Sequence, residues 1–72
     1  RHAIELKAWR DGRPDPLPKG LAQLDEYLAG LGLDEGLLIV FDQRNGAPST
    51  ADRTRWEAAK TPSGRAVRVL RA

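Results

Sequence analysis

The hydrophobic rhythm changes twice within the first 41 residues, and few folds accommodate such a change. From 2 to 9 apolar and polar residues alternate: Ile4, Leu6 and Ala8 fall on one side, Glu5, Lys7 and Trp9 on the other. A period of two is that of a β-strand. From about Pro18 the period lengthens to that of an α-helix, with Leu21, Leu24, Leu28 and Leu31 forming one stripe. Pro18 suits a first helical turn, where a missing N–H breaks no hydrogen bond. Gly32 followed by Leu33 predicts a glycine C-cap with its hydrophobic contact. Residues 37–41, Leu-Leu-Ile-Val-Phe, then run apolar without a break. That is the pattern of a strand covered on both faces in a parallel sheet. Strand, helix and strand in this order predict a βαβ unit with parallel strands and a right-handed crossover.

The connections agree with this order. Asp11 and Gly12 mark a turn, and residues 13–18 form a proline-rich link that cannot be helix interior. Residues 43–54, with Asn45, Gly46, Pro48, Ser49 and Thr50, read as a mobile loop. Residues 55–60 and 65–71 flank Thr61, Pro62, Ser63 and Gly64, which predicts a hairpin with a four-residue turn. Val67 and Val69 share one of its faces, and nearby basic residues keep its edge soluble. The expected fold class is α/β, in the wider sense α+β: a βαβ unit plus a C-terminal β-hairpin, within one domain spanning 1–72.

Composition narrows the chemistry. A chain of 72 residues buries a small share of its surface, so its core is marginal. With 40% hydrophobic and 31% charged residues it is a folding sequence rather than a disordered one. It does not begin with Met and opens directly on a strand, which predicts a piece of a longer protein truncated on its N-terminal side. Cysteine is absent and His2 is the single histidine, so thiolate and multi-histidine metal sites are excluded. Any metal would be a hard ion such as Mg²⁺ or Mn²⁺, held by carboxylates and carbonyls. No apolar run has the length of a membrane span and no signal-peptide pattern is present, so no membrane partner and a cytoplasmic location are expected. A formal net charge of +2 permits a nucleic-acid partner without arguing for one.

Four side chains carry candidate chemistry. Glu5 and Lys7 are two apart on a strand, so both emerge on one face. A carboxylate there can hold a divalent cation, and a neighbouring lysine can orient water or offset charge on a phosphate. The plain alternative is an ion pair on a solvated strand. Gln23 and Tyr27 lie four apart on the helix, neighbours on one face that borders the leucine stripe. Their plain alternative is a tyrosine packing at the core rim beside a solvated glutamine. His2 reads as a core-edge residue. Trp9 reads as a sheet-packing residue, although it shares the Glu5 face and could stack on a base. The arginines at 53, 55, 65, 68 and 71 are either a phosphate-binding patch or a solvated hairpin edge.

Taken together, E-x-K on a strand and Q-x-x-x-Y on the next helix resemble the PD-(D/E)xK nuclease superfamily, in particular its RecB-like branch. The likeness covers residues 2 to 42. The phrases at 3–10 and 32–36, with the tail at 56–65, are also similar to the C-terminal nuclease-like region of proteins that carry an AAA-type ATPase. The resemblance implies a restriction-endonuclease-like core of α-β-β-β-α-β order, a Mg²⁺ or Mn²⁺ site and a DNA partner, with an ATPase domain possible in the same chain. In that reading Glu5 is a metal ligand, the backbone carbonyl of Leu6 reaches the metal and Lys7 is the catalytic lysine. Gln23 and Tyr27 support the site or touch DNA. The family's first acidic ligand sits on the strand before E-x-K, which this chain lacks. Asp11 lies about 20 Å along an extended strand from Glu5, and Asp15 is further. The metal site is therefore expected to be incomplete, with no well-ordered ion at Glu5. The alternative is a catalytically inactive interaction or accessory module of an ATPase. Absent flanking strands would leave the edge at 3–9 open, so self-association is expected.

Overall fold

The computed structural model describes residues 2–47 and 49–72. Pro48, read above as part of the loop, lies outside the described residues. The elements run β1 (Ile4–Trp9), α1 (Leu17–Leu31), β2 (Glu35–Asp42), α2 (Thr50–Arg53), β3 (Arg55–Lys60) and β4 (Ala66–Arg71). They form a small α/β domain around a four-stranded mixed sheet of order β1-β2-β4-β3. β1 and β2 pair in parallel across α1, with Glu5 opposite Leu38 and Lys7 opposite Val40. β4 lies parallel to β2 on its other side, and β3 pairs antiparallel with β4 at the far edge. The βαβ unit and the C-terminal hairpin are thus both present, and the hairpin inserts its second strand beside β2.

The helix begins and ends where its sequence signals place it. The Asp15 carboxylate accepts the Leu17 N–H at 3.0 Å, and Pro18 sits in the first turn. Gly32 stops the helix with φ 68°, a left-handed conformation in which a side chain is strained. The Leu33 N–H then closes back on the Leu28 carbonyl at 2.9 Å. Leu24 and Leu28 are driven fully into the sheet. Gly20 permits this close approach: a Cβ there would lie 3.0 Å from Leu38 Cδ1 and 3.2 Å from Lys7 Cγ. Leu24, Leu28, Leu38, Val40, Val67 and Val69, with Ala3, make up the core. Each large side chain among them contributes about 1.5–3 kcal/mol by burial.

One long helix covers one face of the sheet, which corrects the reading of residues 37–41 as buried on both sides. Leu38 and Val40 face α1 and are buried, whereas Phe41 is exposed and Leu37 and Ile39 are half-buried on the opposite face. That face also presents Ile4 (57% exposed), Leu6 (59%) and Trp56 (53%). Alternation had placed Ile4, Leu6 and Ala8 on a common side, but which side the helix covers is set by tertiary packing. His2 is exposed at the end of this open face rather than at a core edge. Leu31, the last of the leucine stripe, is 37% exposed because the stripe outruns the sheet. The region 43–54 is not wholly loop. Ser49 opens the single turn α2, its carbonyl accepting the N–H groups of Asp52 and Arg53 while its hydroxyl donates to the Asp52 carboxylate at 2.8 Å. This is a short capping arrangement.

A polar clamp joins α1 to the β3–β4 turn. Asp25 accepts hydrogen bonds from the Ser63 hydroxyl at 2.6 Å, the Ser63 N–H at 3.2 Å and the Arg65 guanidinium at 2.9 Å. The Ser63 and Thr61 hydroxyls, followed by Arg65, hold the Asp25 carboxyl down to about 2 from its usual 3.8. Asp42 is likewise held to about 2, chiefly by the Arg44 side chain. A carboxyl with a depressed folded pKa stabilises the fold fully above its unfolded value, and that stability is lost as pH falls toward the folded value. The thermal midpoint is therefore expected to be level above pH 4 and to fall between pH 4 and pH 2. Asp25→Asn should lower the midpoint at neutral pH and flatten the fall. An acid slope unchanged in that variant would show that the clamp contributes nothing.

Candidate active site

Glu5 and Lys7 lie on the helix-covered face of β1, which is an open edge of the sheet. The alternation that places them inward sends Ile4 and Leu6 to the uncovered face. Both side chains are mostly buried, with Lys7 20% and Glu5 16% exposed. On the facing helix, Gln23 and Tyr27 project toward the β1 edge, while Asp25 projects the other way to the hairpin turn. Glu5, Lys7, Gln23 and Tyr27 line one cleft of about 430 Å³ between β1 and α1, and Glu26 lines it with them. All four side chains singled out in the sequence therefore meet at one place.

The backbone adds a further acceptor. Ala3 and Trp9 use their carbonyls to bond β2, accepting from Leu37 at 3.1 Å and Gln43 at 2.8 Å. Alternate residues of a parallel ladder bond to the same neighbour. The carbonyls of Ile4, Leu6 and Ala8 therefore project off the open edge. Leu6 turns its side chain to the uncovered sheet face, but its carbonyl is left available along the edge beside Glu5.

The polar groups of the cleft are poorly satisfied. Lys7 Nζ stands 3.9 Å from Glu5 Oε1, beyond hydrogen-bond distance. The half-buried carboxylates Asp15, Asp25, Asp42 and Glu57 all accept hydrogen bonds. Glu5 accepts none from the described residues. Gln23 Oε1 is buried without a hydrogen-bond partner. Buried polar groups without partners are uncommon and costly, typically about 1–3 kcal/mol each. Among the described atoms of the cleft only Gln23 Oε1 is of this kind; the Glu5 and Lys7 side chains keep some exposure to water.

The oxygens that line the cleft are of the hard type. Glu5 and Glu26 supply carboxylates, and Gln23 supplies an amide oxygen with no donor of its own. Oxygen ligands of this kind suit Mg²⁺ and Mn²⁺. No group of three or more His, Cys, Asp or Glu side chains gathers anywhere among the described residues, so the cleft's amide and backbone oxygens matter to this fit.

Asp11 and Asp15 stand away from the cleft, as the spacing requires. Asp11 holds the Asn45 N–H at 3.0 Å, and Asp15 pairs with Arg71 at 2.8 Å. The five arginines divide: Arg53, Arg55 and Arg71 line one cleft with Arg44 and the carboxylates Asp15, Asp42 and Asp52, whereas Arg65 and Arg68 lie elsewhere. Arg65 serves the Asp25 clamp and Arg71 binds Asp15 and Glu57. Arg55 pairs with Glu57, and Arg68 lies over the Trp56 ring at 4.5 Å. Trp9 is covered by the Arg44 guanidinium 3.6 Å from its ring centroid, and its indole N–H donates to the Arg13 carbonyl. Glu26 was not singled out in the sequence. The signal was present, since it lies three residues after Gln23 on the same helix face.

Comparison with protein-family models, curated proteins and solved structures returns no match. No helix among the described residues is long and apolar enough to cross a membrane.

Proposed function

We propose that this chain carries the E-x-K and Q-x-x-x-Y part of a Mg²⁺- or Mn²⁺-dependent DNA phosphodiesterase domain, which further residues of a longer protein complete. The observation that carries this reading is Glu5. Alone among the half-buried carboxylates described, it accepts no protein hydrogen bond, and it shares its cleft with Lys7, Gln23 and Tyr27. Glu5 and the Leu6 carbonyl would hold the metal, with Gln23 supporting the site from the helix. A bound metal supplies Lewis acidity toward a phosphoryl oxygen and lowers the pKa of its water. The Lys7 ammonium offsets the negative charge that gathers on the phosphoryl oxygens in the transition state. Tyr27, 60% exposed, presents its hydroxyl at the mouth, where a DNA phosphate would pass. The test is Mg²⁺- and Mn²⁺-dependent cleavage of DNA by the full-length protein, beside Lys7→Ala. Cleavage is expected to require the metal and to be lost in the variant. Wild-type rates from Lys7→Ala, or no cleavage with either metal, would sink the reading.

A second reading is an interaction module without catalysis, and the uncovered sheet face favours it. Ile4, Leu6, Phe41 and Trp56 lie on a face of roughly 400 Å² by strand spacing and rise, within the range of the largest apolar patch on a monomer, which is often functional. Inward-pointing charges on an edge strand also discourage unwanted strand pairing, a structural role that Glu5 and Lys7 would fill without any metal. The chain would self-associate through this face, or through the β1 edge where Glu5 and Lys7 fail to guard it. Sedimentation separates the cases: concentration-dependent dimers support association, and a single monomeric species at high concentration opposes it.

A further inference from the structure

The uncovered face of the sheet carries charges as well as apolar side chains, and the strand register sets their places. Glu35, Ala66 and Lys60 stand in one row across β2, β4 and β3, at one end of the face. The next row holds Ile4, Leu37, Arg68 and Ala58, and the row after it Leu6, Ile39, Leu70 and Trp56. Glu35, Lys60 and Arg68 are exposed and form no ion pair among the described residues. Arg55, Arg65 and Arg71, by contrast, each hold a carboxylate, while Arg68 lies over Trp56. The small residues Ala58 and Ala66, with Ile4, Leu37, Trp56 and Arg68 around them, line a groove of about 790 Å³ on this face. The face thus presents an anion without a counter-charge on β2, cations without one on β4 and β3, and a hollow over two alanines.

We infer that a second copy of the chain covers this face, packed sheet to sheet about a two-fold axis that runs along the strands between β2 and β4. The inference rests on the second reading above, in which the uncovered face is an interaction surface, and names its partner and arrangement. Aligned sheets pack about 10 Å apart with their strands within about 30° of each other. The axis lays β2 over the partner's β4, and β1 over the partner's β3. Glu35 then comes over the partner's Ala66. The partner's Arg68 is one pleat along and the partner's Lys60 one strand across, about 7 Å and 5 Å away in the plane of the sheet. The symmetry makes each of these contacts twice, so both anions meet cations. Sizes match as well. Ile4 enters the hollow over the partner's Ala58, Ile39 meets Leu70 and Leu6 meets Trp56. A two-fold axis across the strands would instead carry Glu35 to the Phe41 end, away from both cations. Each copy contributes roughly 400 Å², about 800 Å² in total, which is under the roughly 1,200 Å² of stable complexes and makes the dimer weak and reversible. Its layers run helix, sheet, sheet, helix, so the clefts at Glu5 and Lys7 stay open on the outer sides.

The test is sedimentation equilibrium of the 72-residue chain and of two charge-reversed variants, Glu35→Arg and Arg68→Glu. Wild type is expected to dimerise with a dissociation constant on the order of 0.1 mM. Each variant alone sets like charges against each other in both symmetry-related contacts, and should dimerise at least about tenfold more weakly. Mixed in equal amounts, the two variants should recover a dimer within about fivefold of wild type, because both contacts then join opposite charges. Lys19→Glu, exposed on α1 beyond the sheet, should leave association unchanged. Far-UV circular dichroism checks that each variant keeps its fold, which the exposed positions of Glu35 and Arg68 favour. Variants that dimerise as wild type does, a mixture that stays monomeric, or an equal loss in Lys19→Glu would overturn the inference while leaving the association reading in place. A wild type that is monomeric at high concentration would overturn both, and would leave the face to a segment of the longer protein or to an unrelated chain.

Discussion

Leu24→Ala is expected to remove about 3 kcal/mol of folding stability, within the usual range of about 2–5 kcal/mol for a buried leucine. Leu24 is fully buried and touches both sides of the helix–sheet contact, lying against Gly36 at distances that leave no spare room. Nothing around it can collapse into the space left behind, because the sheet below is held by its ladder and the helix above is seated on Gly20. A domain of this length has a total stability of roughly 4–11 kcal/mol, so the loss takes a large part of the whole. Urea denaturation followed by circular dichroism measures it. The control is Leu6→Ala, on the uncovered face and 59% exposed, which should cost under about 1 kcal/mol in the isolated chain because little burial is lost. Similar costs for the two leucines would mean that the uncovered face is buried in solution. That result would point to self-association and would appear as a concentration-dependent midpoint.

Arg71→Met should cost about 2 kcal/mol, a discounted form of the 3–5 kcal/mol for breaking a fully buried pair. Arg71 closes the end of β4. Its guanidinium donates to Glu57 at 2.7 Å and to Asp15 at 2.8 Å, and its own side chain is 14% exposed. It therefore ties the hairpin to the link that precedes α1. Methionine keeps much of the stem but leaves Asp15 without its cation and Glu57 with only the more exposed Arg55 at 3.3 Å. Both are about one-third exposed, and water recovers part of the loss, hence the discount. Adding Glu57→Gln to Arg71→Met should recover part of the stability, because the carboxylate that lost its nearer cation disappears. A double-mutant cycle in urea reads that coupling. A loss under about 0.5 kcal/mol for Arg71→Met would place the cluster with ordinary surface ion pairs.

The order of elements was legible in the sequence because it rests on local rules. Alternation in β1, the leucine spacing of α1, the glycine after Leu31 and the turn residues at 61–64 act over a few neighbours and need no partner. For the same reason Glu5 and Lys7 could be assigned a common face, and Gln23 and Tyr27 a common side of the helix. The turn α2 was hidden because a single turn held by Ser49 and Asp52 has no period to display. What only the tertiary structure decided is which faces meet. Alternation separates the two sides of β1 but does not say which one the helix covers, and by apolarity alone Ile4 and Leu6 had the stronger claim. The helix instead settles over Glu5 and Lys7, its position set by Leu38, Val40, Val67 and Val69 on neighbouring strands and by the room that Gly20 and Gly36 leave. The same packing decides that Glu26 joins the cleft, and that residues 37–41, apolar throughout, are buried on one side and left open on the other.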